Sequence, residues 1–419
     1  MNQYEEICKD MGLRAKAAAF ELAQLDQGTL DAALIAIADA VEAQTDEIMA
    51  ANKQDLDKSG DYNVPQTMID RLTLTPNRIA QMAEGVRQVG ALESPVGSII
   101  ETITRPNGLT IEKRTVPFGV IGIIFEARPN VTIDAGVLCL KTGNATILRG
   151  GKEAFHTNQI IVSIMRNTLE SLGINGDAIQ LVEVLDRDMV GVLLQQREYI
   201  DVIIPRGGAG LIRRVVEESN IPVIETGSGV CHTFVDEYAN LDMALDIAIN
   251  AKVQRPSVCN AMETLLVHQA VAAEFLPRLD KALQESGVRI HGDEAVAQYM
   301  ENTIPLTETS FNTEYNDLDL NVRIVENLEE AIEHVNCYTT HHSEAIITDE
   351  PMRATVFMNL VDCSTVYHNA STRFTDGFEF GFGAEIGIST QKLHARGPMG
   401  LQALTSYKYF VFGEGQVRS

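Results

Sequence analysis

The chain has 419 residues, and its acidic side chains outnumber the basic ones by 58 to 33, which gives a formal net charge of -25. A surface of that sign repels phosphate backbones and anionic lipids, so nucleic acid and membranes are excluded as expected partners. The hydrophobic share of 45% is that of an ordinary globular protein, and the length predicts two or three domains.

The first hundred residues are predicted to be largely helical. Apolar residues from Leu30 to Ile48 recur every three or four positions, which indicates an amphipathic helix with Thr29 as its N-cap. The N-terminus carries early acids instead of a basic start followed by an apolar run, so we expect no export signal. No stretch reaches the roughly 18 uninterrupted apolar residues of a membrane span. We therefore expect a soluble, cytoplasmic protein.

Residues 98–116 are predicted to form two strands joined by Asn107 and Gly108, because Asn-Gly is a hairpin signal. A two-stranded ribbon on its own is marginal in water, so this one needs a partner. The last strand-like segment, SYKYFVFG, is similar in composition. We predict that residues 98–116 and 406–419 form a small β arm that joins subunits of a homodimer or larger homo-oligomer.

From Phe118 onward, short apolar strands alternate with helical segments, which predicts βαβ units and parallel sheets. A first run of strands is predicted at 118–125, 144–149, 178–184, 201–205, 221–225 and 232–236. A second run follows from about Leu241, with strands at 263–268, 321–325, 344–349 and 364–368. The predicted fold class is α/β, with a Rossmann-type nucleotide-binding domain (1–97 and 117–228), an α/β catalytic domain (229–405) and the β arm.

Six cysteines are scattered without a CxxC pair, and the histidines form no HExxH motif, so we expect no disulfide framework and no metal site. Cys259, in QRPSVCNA, lies between a helical stretch and an apolar strand, where a side chain can reach a cleft. A lone cysteine is more commonly a small buried apolar residue, so its context must decide. Glu225, in VIETGSG, ends an apolar strand at a glycine-rich turn and is a candidate base; a solvated acid at a strand end is the alternative.

The sequence PRGGAG at 205–210 follows a strand and opens a helix, a position where backbone N–H groups and the helix dipole attract phosphate. It lacks the GxGxxG spacing, and a strand-to-helix turn is also glycine-rich for steric reasons. Gly207 and Gly208 are therefore candidate phosphate-binding residues with a steric alternative.

Together, these segments resemble the aldehyde dehydrogenase superfamily from about Thr115 to Lys408, and Cys259 lies at the position of that family's nucleophile. The resemblance is carried by VPFGVIGII, KTGNATILRGGKEA, IPRGGAGLIRR, IETGSGVCHTFVD and HARGPMGLQALTSYKY. The peptides FEARPNVT, RPSVCNAMETLLVH and NASTRFTDGFEFGFGAEIGIST are similar to the branch that reduces an activated glutamate. The resemblance implies NADPH-dependent reduction of L-glutamyl 5-phosphate to L-glutamate 5-semialdehyde and phosphate in proline biosynthesis, through a Cys259 thioester. It also implies glutamate 5-kinase as a candidate upstream partner.

Residue roles follow from the same resemblance. The superfamily's oxyanion-stabilising Asn falls on Arg128, with Asn130 two residues further on, and both stay candidates. Gly227 and Glu385 are expected to contact the cofactor. Where the family has Lys-Pro-x-Glu, this chain has Arg149-Gly150-Gly151-Lys152, so a cation replaces the carboxylate that holds a free ribose hydroxyl. Arg149 and Lys152 are therefore expected to bind the 2′-phosphate of NADP(H).

The substrate's α-carboxylate and phosphate both require cations, and arginine can bind either group in a bidentate manner. The candidates are Arg128, Arg255 and Arg373, although each could equally belong to a surface ion pair. Two other functions compete with this one. A CoA-acylating aldehyde dehydrogenase would use the same cysteine and transfer the acyl group to a large thiol, and a catalytically silent member would only bind NADP or act as a scaffold.

Overall fold

The computed structural model describes residues 3–62 and 66–418. Its α-helices are α1 (Gln3–Leu22), α2 (Gln27–Ala43), α3 (Thr45–Asp57), α4 (Gln66–Leu72), α5 (Pro76–Ala91), α6 (Pro129–Lys141), α7 (Phe155–Ser171), α8 (Asp188–Leu193), α9 (Ala209–Glu218), α10 (Leu241–Val253), α11 (Gln269–Glu285), α12 (Leu328–Tyr338) and α13 (Pro351–Leu360). Its strands are β1 (Ile99–Thr104), β2 (Thr110–Pro117), β3 (Val120–Phe125), β4 (Ala145–Arg149), β5 (Ile179–Leu181), β6 (Val202–Arg206), β7 (Cys231–Val235), β8 (Met262–His268), β9 (Arg289–Gly292), β10 (Ile304–Pro305), β11 (Asp319–Val325), β12 (Ser343–Ile347), β13 (Thr365–His368), β14 (Ile388–Ser389), β15 (Gly397–Pro398) and β16 (Thr405–Phe412). None of the helices among these residues is long and apolar enough to cross a membrane.

The described residues form two compact units. Unit 1 takes its residues from Met1–Glu225, Gly381–Gly387 and Met399–Ser419, and unit 2 from Thr226–Phe380 and Ile388–Pro398. The sequence-based division kept 229–405 in one continuous domain, whereas residues 381–387 and 399–405 pack within unit 1. Such short returning segments carry no compositional signal, because only their long-range contacts assign them to a unit.

Unit 1 contains a parallel sheet in the order β5-β4-β3-β6. Every residue of β3 is buried, as expected for a central parallel strand covered on both faces. Most of α6 is buried as well. The predicted strand at 221–225 is wrong, since only an isolated bridge joins Val223 to Ile203. Pro222 lacks the N–H group that a continuous ladder would use there.

The first predicted helix also differs from the structure. Helix α2 begins at Gln27, and the carboxylate of Asp26 caps it by accepting the Thr29 N–H at 2.8 Å. Thr29 is therefore inside the helix, and its prediction as the N-cap is wrong. The helix ends at Ala43, so Ile48 belongs to α3. The spacing of apolar residues continues across the break because α2 and α3 each bury an apolar face.

A three-stranded antiparallel sheet in the order β1-β2-β16 also belongs to unit 1. Strand β16 pairs with β2 from Thr405 beside Pro117 to Phe412 beside Thr110. The 98–116 hairpin therefore takes its third strand from the C-terminal segment of its own chain, and the exposed face of β16 carries Tyr407 and Tyr409.

Unit 2 contains a parallel sheet in the order β10-β9-β11-β8-β7-β12-β13. The 232–236 strand, predicted at the end of the first run, is β7 and lies near the centre of this second sheet, between β8 and β12. Helices α10 and α11 bury their apolar faces against β8 and β11 around Phe275 and Leu279. The predicted α/β class with parallel sheets is confirmed.

Candidate active site

Cys259 is half-buried in the loop between α10 and β8 of unit 2. The two ends of this loop are joined by an ion pair of 2.7 Å between Lys252 and Glu263, whose side chains are 0% and 1% exposed. The other oxygen of Glu263 accepts the Asn316 N–H at 3.2 Å. Burial raises the pKa of Glu263 to about 7, against the lowering effect of Lys252. This loop, named here the nucleophile loop for the role predicted for Cys259, is thus closed by a pair that water does not reach.

The backbone of Cys259 is packed tightly from a second side. Gly229 comes so close that a Cβ atom there would lie 1.4 Å from the Cys259 carbonyl oxygen. The Gly229 N–H donates to Glu314 Oε1 at 2.9 Å, and the Cys231 thiol donates to the Cys259 carbonyl oxygen at 3.2 Å. This part of the predicted glycine-rich turn therefore serves close backbone approach, which fixes the position of Cys259.

The environments of the cysteines distinguish Cys259 from the others. Burial raises the pKa of Cys8 to about 11 and that of Cys139 to about 12. It also raises the pKa of Cys231 and Cys363, which both lie in unit 2. Burial therefore disfavours the thiolate at all four of these side chains. Cys259, in contrast, is half-buried on a loop with arginines nearby, and a cation beside a thiol favours the nucleophilic thiolate.

Arg255 and Arg373 lie near Cys259 in unit 2. Arg373 donates through Nε to Gln254 Oε1 at 2.8 Å. Burial lowers the pKa of Arg373, the like charge of Arg255 lowers it further, and Cys259 and Asp376 act in the opposite direction. Within the described ranges, neither Arg255 nor Arg373 forms an ion pair with a carboxylate. Two guanidinium groups near the thiol, with no carboxylate partner among the described residues, create a local anion-binding potential in an acidic protein.

The remaining predicted catalytic residues lie in unit 1. Arg128 precedes α6 as its N-cap residue and is half-buried. Asn130, in the first turn, is exposed, and its amide donates to Asp134 Oδ2 at 3.1 Å. Burial raises the pKa of Asp134 to about 6, while the Asn130 hydrogen bond opposes that shift. Asp134 therefore fixes the orientation of the Asn130 amide. Glu225 is half-buried and is the last residue before the chain enters unit 2.

The predicted phosphate-binding turn has a structural role of its own. The Gly208 N–H, at the start of α9, donates to Glu126 Oε2 at 3.0 Å. A Cβ atom at Gly207 would lie 2.7 Å from the Glu126 carboxyl carbon. Both glycines thus allow the Glu126 carboxylate to pack closely, and this carboxylate occupies the Gly208 N–H that was predicted to bind phosphate. The Leu211 and Ile212 N–H groups donate to the Gly208 carbonyl at 3.0 and 3.2 Å, so in the described part of the chain the Ala209 and Gly210 N–H groups of this turn are the ones left for a ligand.

Gly227, in unit 2, is also required sterically, because a Cβ atom there would lie 2.3 Å from Thr390 Cγ2. Its N–H donates to the Ile388 carbonyl at 3.2 Å, next to a bridge between Thr226 and Ser389. Glu385, which is also predicted to contact the cofactor, is half-buried in the 381–387 segment of unit 1. The structure thus explains why position 227 needs a glycine without any ligand.

Lys152 and Arg149 differ in how far they are available to a ligand. The Lys152 ammonium lies 4.4 Å from the centre of the Tyr62 ring. Arg149 is 8% exposed and donates to the backbone carbonyls of Gly150 and Leu185. Burial lowers the pKa of Arg149. Lys152 follows β4 and α9 follows β6, so both lie at the carboxyl edge of one parallel sheet, where such folds bind nucleotides. These residues fit an anionic cofactor, with Lys152 as the accessible cation.

Comparison with known proteins identifies what this arrangement resembles. Residues 4–298 match the sequence model of the aldehyde dehydrogenase family. The chain is 53% identical over 418 residues, covering 100% of both chains, to the gamma-glutamyl phosphate reductase of Thermobifida fusca. It is 54% identical to the protein of the same name from Moorella thermoacetica, covering 97% of each chain. The crystal structure of gamma-glutamyl phosphate reductase from Thermotoga maritima superposes with a TM-score of 0.96, at 43% identity, covering 98% of this chain and 100% of the other.

Proposed function

The chain belongs to the aldehyde dehydrogenase family, and from that premise we propose that it reduces L-glutamyl 5-phosphate to L-glutamate 5-semialdehyde and phosphate, a step of proline biosynthesis. Two relatives that cover nearly the whole chain carry the name gamma-glutamyl phosphate reductase, which supports this substrate. The proposal rests mainly on Arg255 and Arg373. Both lie near the half-buried Cys259, and neither forms an ion pair with a carboxylate among the described residues. A chain with net charge -25 needs such a local cation cluster to attract a doubly anionic substrate.

In the proposed mechanism, the Cys259 thiolate attacks the acyl carbon of the substrate. The C–O bond to phosphate breaks, and the leaving phosphate takes the electron pair, so that a thioester forms on Cys259. Arg255 and Arg373 bind the substrate's phosphate and α-carboxylate. The tight packing of Gly229 and Cys231 on the Cys259 backbone holds the thiol in place. The Cys259 N–H would donate to the developing oxyanion.

NADPH is the proposed cofactor, and when bound it supplies the hydride that reduces the thioester carbon. Lys152 would hold the 2′-phosphate, with the first turn of α9 near the pyrophosphate. Arg149 would contribute its positive charge to the phosphate site without a direct hydrogen bond, because its guanidinium already donates to backbone carbonyls. The roles of Asn130, Arg128, Glu225, Gly227 and Glu385 are part of this proposal on the strength of the sequence resemblance. Asn130 is the preferred oxyanion donor, because Asp134 already orients its amide.

We further propose a homo-oligomer built through the β1-β2-β16 sheet, working in the cytoplasm downstream of glutamate 5-kinase. The support is the exposed apolar surface of this sheet, where Tyr407, Tyr409 and Val411 are 49%, 56% and 57% exposed on β16. Isolated exposed rings are ordinary, but a row of them on an open sheet edge favours a protein contact.

The reverse reaction tests the proposed function. Purified protein is supplied with L-glutamate 5-semialdehyde, NADP+ and inorganic phosphate, and NADPH formation is followed by its absorbance. We expect turnover that requires phosphate, and Cys259→Ala should retain less than about a hundredth of kcat. Cys337→Ala, at an exposed thiol on α12, is the matched control and should keep full activity. Turnover that depends on CoA instead of phosphate would establish the CoA-acylating alternative, and no turnover with an unreactive Cys259 would support the silent one.

A further inference from the structure

The segment that follows β13 is held against the nucleophile loop by Asn260, the residue after Cys259. The Asn260 amide donates to the Thr375 carbonyl at 2.9 Å and to the Arg373 carbonyl at 3.3 Å. In return, the Thr372 hydroxyl donates to the Asn260 carbonyl at 2.7 Å. Asn260 is 4% exposed and Thr372 is fully buried, so these bonds are shielded from water. The side chains of residues 373–376 therefore have a fixed position relative to the thiol.

This segment carries two opposite charges, Arg373 and Asp376, that act on each other electrostatically without forming an ion pair. Arg373 has no carboxylate within ion-pair distance among the residues described, although Asp376 is close enough to act on it electrostatically. Asp376 is half-buried and accepts the Phe378 N–H on Oδ1 at 2.9 Å. Its second oxygen accepts no hydrogen bond from the described part of the chain. A cation and an anion are thus both left with unused hydrogen-bonding capacity on the segment that is bonded to Asn260, the residue after Cys259.

An α-amino acid carries an ammonium and a carboxylate on one carbon. A complementary site needs a cation and an anion that are adjacent but not consumed by each other. We propose that Asp376 binds the α-ammonium group of the substrate, while Arg373 binds its α-carboxylate. This inference rests on the proposed function, and it assigns the positive group of the glutamyl substrate, for which the sequence provided no candidate. It also leaves Arg255 for the phosphate, which divides the two arginines between the two anions.

The surroundings of Asp376 suit such a contact. Phe374 and Phe378, on either side of it, are 48% and 55% exposed. Large apolar rings next to a charged pair lower the local dielectric once a ligand covers them, and this strengthens the ion–ion contact. They also offer an apolar surface to the two methylene groups between the amino-acid end and the reacting carbon.

The test combines a protein variant with a substrate analogue. Asp376→Asn is nearly isosteric and keeps an oxygen for the Phe378 N–H, so the turn should persist. The matched control is Glu379→Gln, which removes an exposed acid three residues further along the same segment. Wild type and both variants are assayed for phosphate-dependent oxidation of L-glutamate 5-semialdehyde and of glutarate semialdehyde, which lacks only the α-amino group.

We expect Asp376→Asn to lower kcat/KM for the amino substrate by roughly 10- to 100-fold, the loss of one charge-assisted contact. The same variant should change kcat/KM for glutarate semialdehyde by less than about threefold, and Glu379→Gln should leave both values unchanged. Equal losses on both substrates, or no loss on either, would overturn the role of Asp376. If wild type oxidises neither aldehyde in the presence of phosphate, the proposed function itself fails.

Discussion

Neutralising one member of the buried Lys252–Glu263 pair should destabilise unit 2 more than neutralising both. The two side chains are 0% and 1% exposed and 2.7 Å apart, so at pH 8, above the pKa of about 7 of Glu263, removal of one partner leaves a charge that water cannot reach. That penalty is about 3–5 kcal/mol, whereas replacing a whole buried pair is often close to neutral. For a unit of this size the single loss corresponds to a melting temperature lower by roughly 6–20 °C.

The variants are Lys252→Met, Glu263→Gln and the double variant, compared by scanning calorimetry and urea unfolding. Gln at 263 keeps an oxygen that can accept the Asn316 N–H, so this hydrogen bond should survive the substitution. The control is Asp242→Asn, because Asp242 pairs with Arg278 while 86% exposed, and its loss should cost less than about 1 kcal/mol. Single variants that melt within about 2 °C of wild type, or a double variant no more stable than the worse single, would refute the reasoning.

The pH dependence has a definite sign. Burial raises the pKa of Glu263 to about 7, so the folded chain binds this proton more tightly than the unfolded chain does. A raised carboxyl pKa favours the folded state below the unfolded value, near pH 4.5, and this advantage is lost as the pH rises toward 7. In Lys252→Met the opposing charge is gone, so the variant should be more destabilised at pH 8 than at pH 5.5, relative to wild type at each pH.

Three further predictions concern the cofactor, the nucleophile loop and the assembly. Lys152→Ala should weaken NADPH binding, measured by fluorescence titration, by roughly tenfold or more and leave NADH binding unchanged. The control is Lys58→Ala, which removes another lysine of unit 1. Equal kcat/KM of wild type with NADH and NADPH would contradict the role of Lys152. Gly229→Ala should abolish alkylation of Cys259, because a Cβ atom there overlaps its carbonyl oxygen, whereas Gly85→Ala meets nothing within 4 Å and should have no effect; normal alkylation of Gly229→Ala would show that the loop is not fixed there. Deleting residues 406–419 should dissociate the assembly, and sedimentation of the intact protein as a 45.9 kDa monomer would rule out the arm as an interface.

Local signals in the sequence predicted the elements well. The strands that became β3, β4, β6, β8, β11, β12 and β13 were found because their apolar runs are bounded by helices of recognisable period. The strand at 232–236 was counted with the first run of strands, although the predicted catalytic domain (229–405) contained it, and it pairs in the second sheet as β7. The N-cap of α2 was placed at Thr29 because a threonine before an apolar run is a good cap signal. Asp26 takes that role since its carboxylate reaches the Thr29 N–H.

Cys259, Arg255 and Arg373 could be singled out from the sequence because residue type and motif coincide there, and their roles stay predictions. The sequence did not single out Lys252, Glu263 or Asn260, because burial and pairing across the fold distinguish them. It did not single out Asp376 either, because the role proposed for Asp376 depends on the contacts of Asn260 with its segment. In the sequence, Lys252 and Glu263 look like ordinary surface charges. Only the structure shows that their side chains are 0% and 1% exposed. Likewise, Gly207 and Gly208 suggested a phosphate site, and only the contact with Glu126 reveals their second role.

The most direct test of the central claim, that Cys259 carries the acyl group, omits phosphate. The enzyme is mixed with L-glutamate 5-semialdehyde and NADP+ alone, and NADPH release and intact mass are recorded together. We expect one NADPH per active site, a glutamyl thioester on the peptide that contains Cys259, and its release as L-glutamyl 5-phosphate when phosphate is added. Continued turnover without phosphate, or an acyl group on any other residue, would contradict the account.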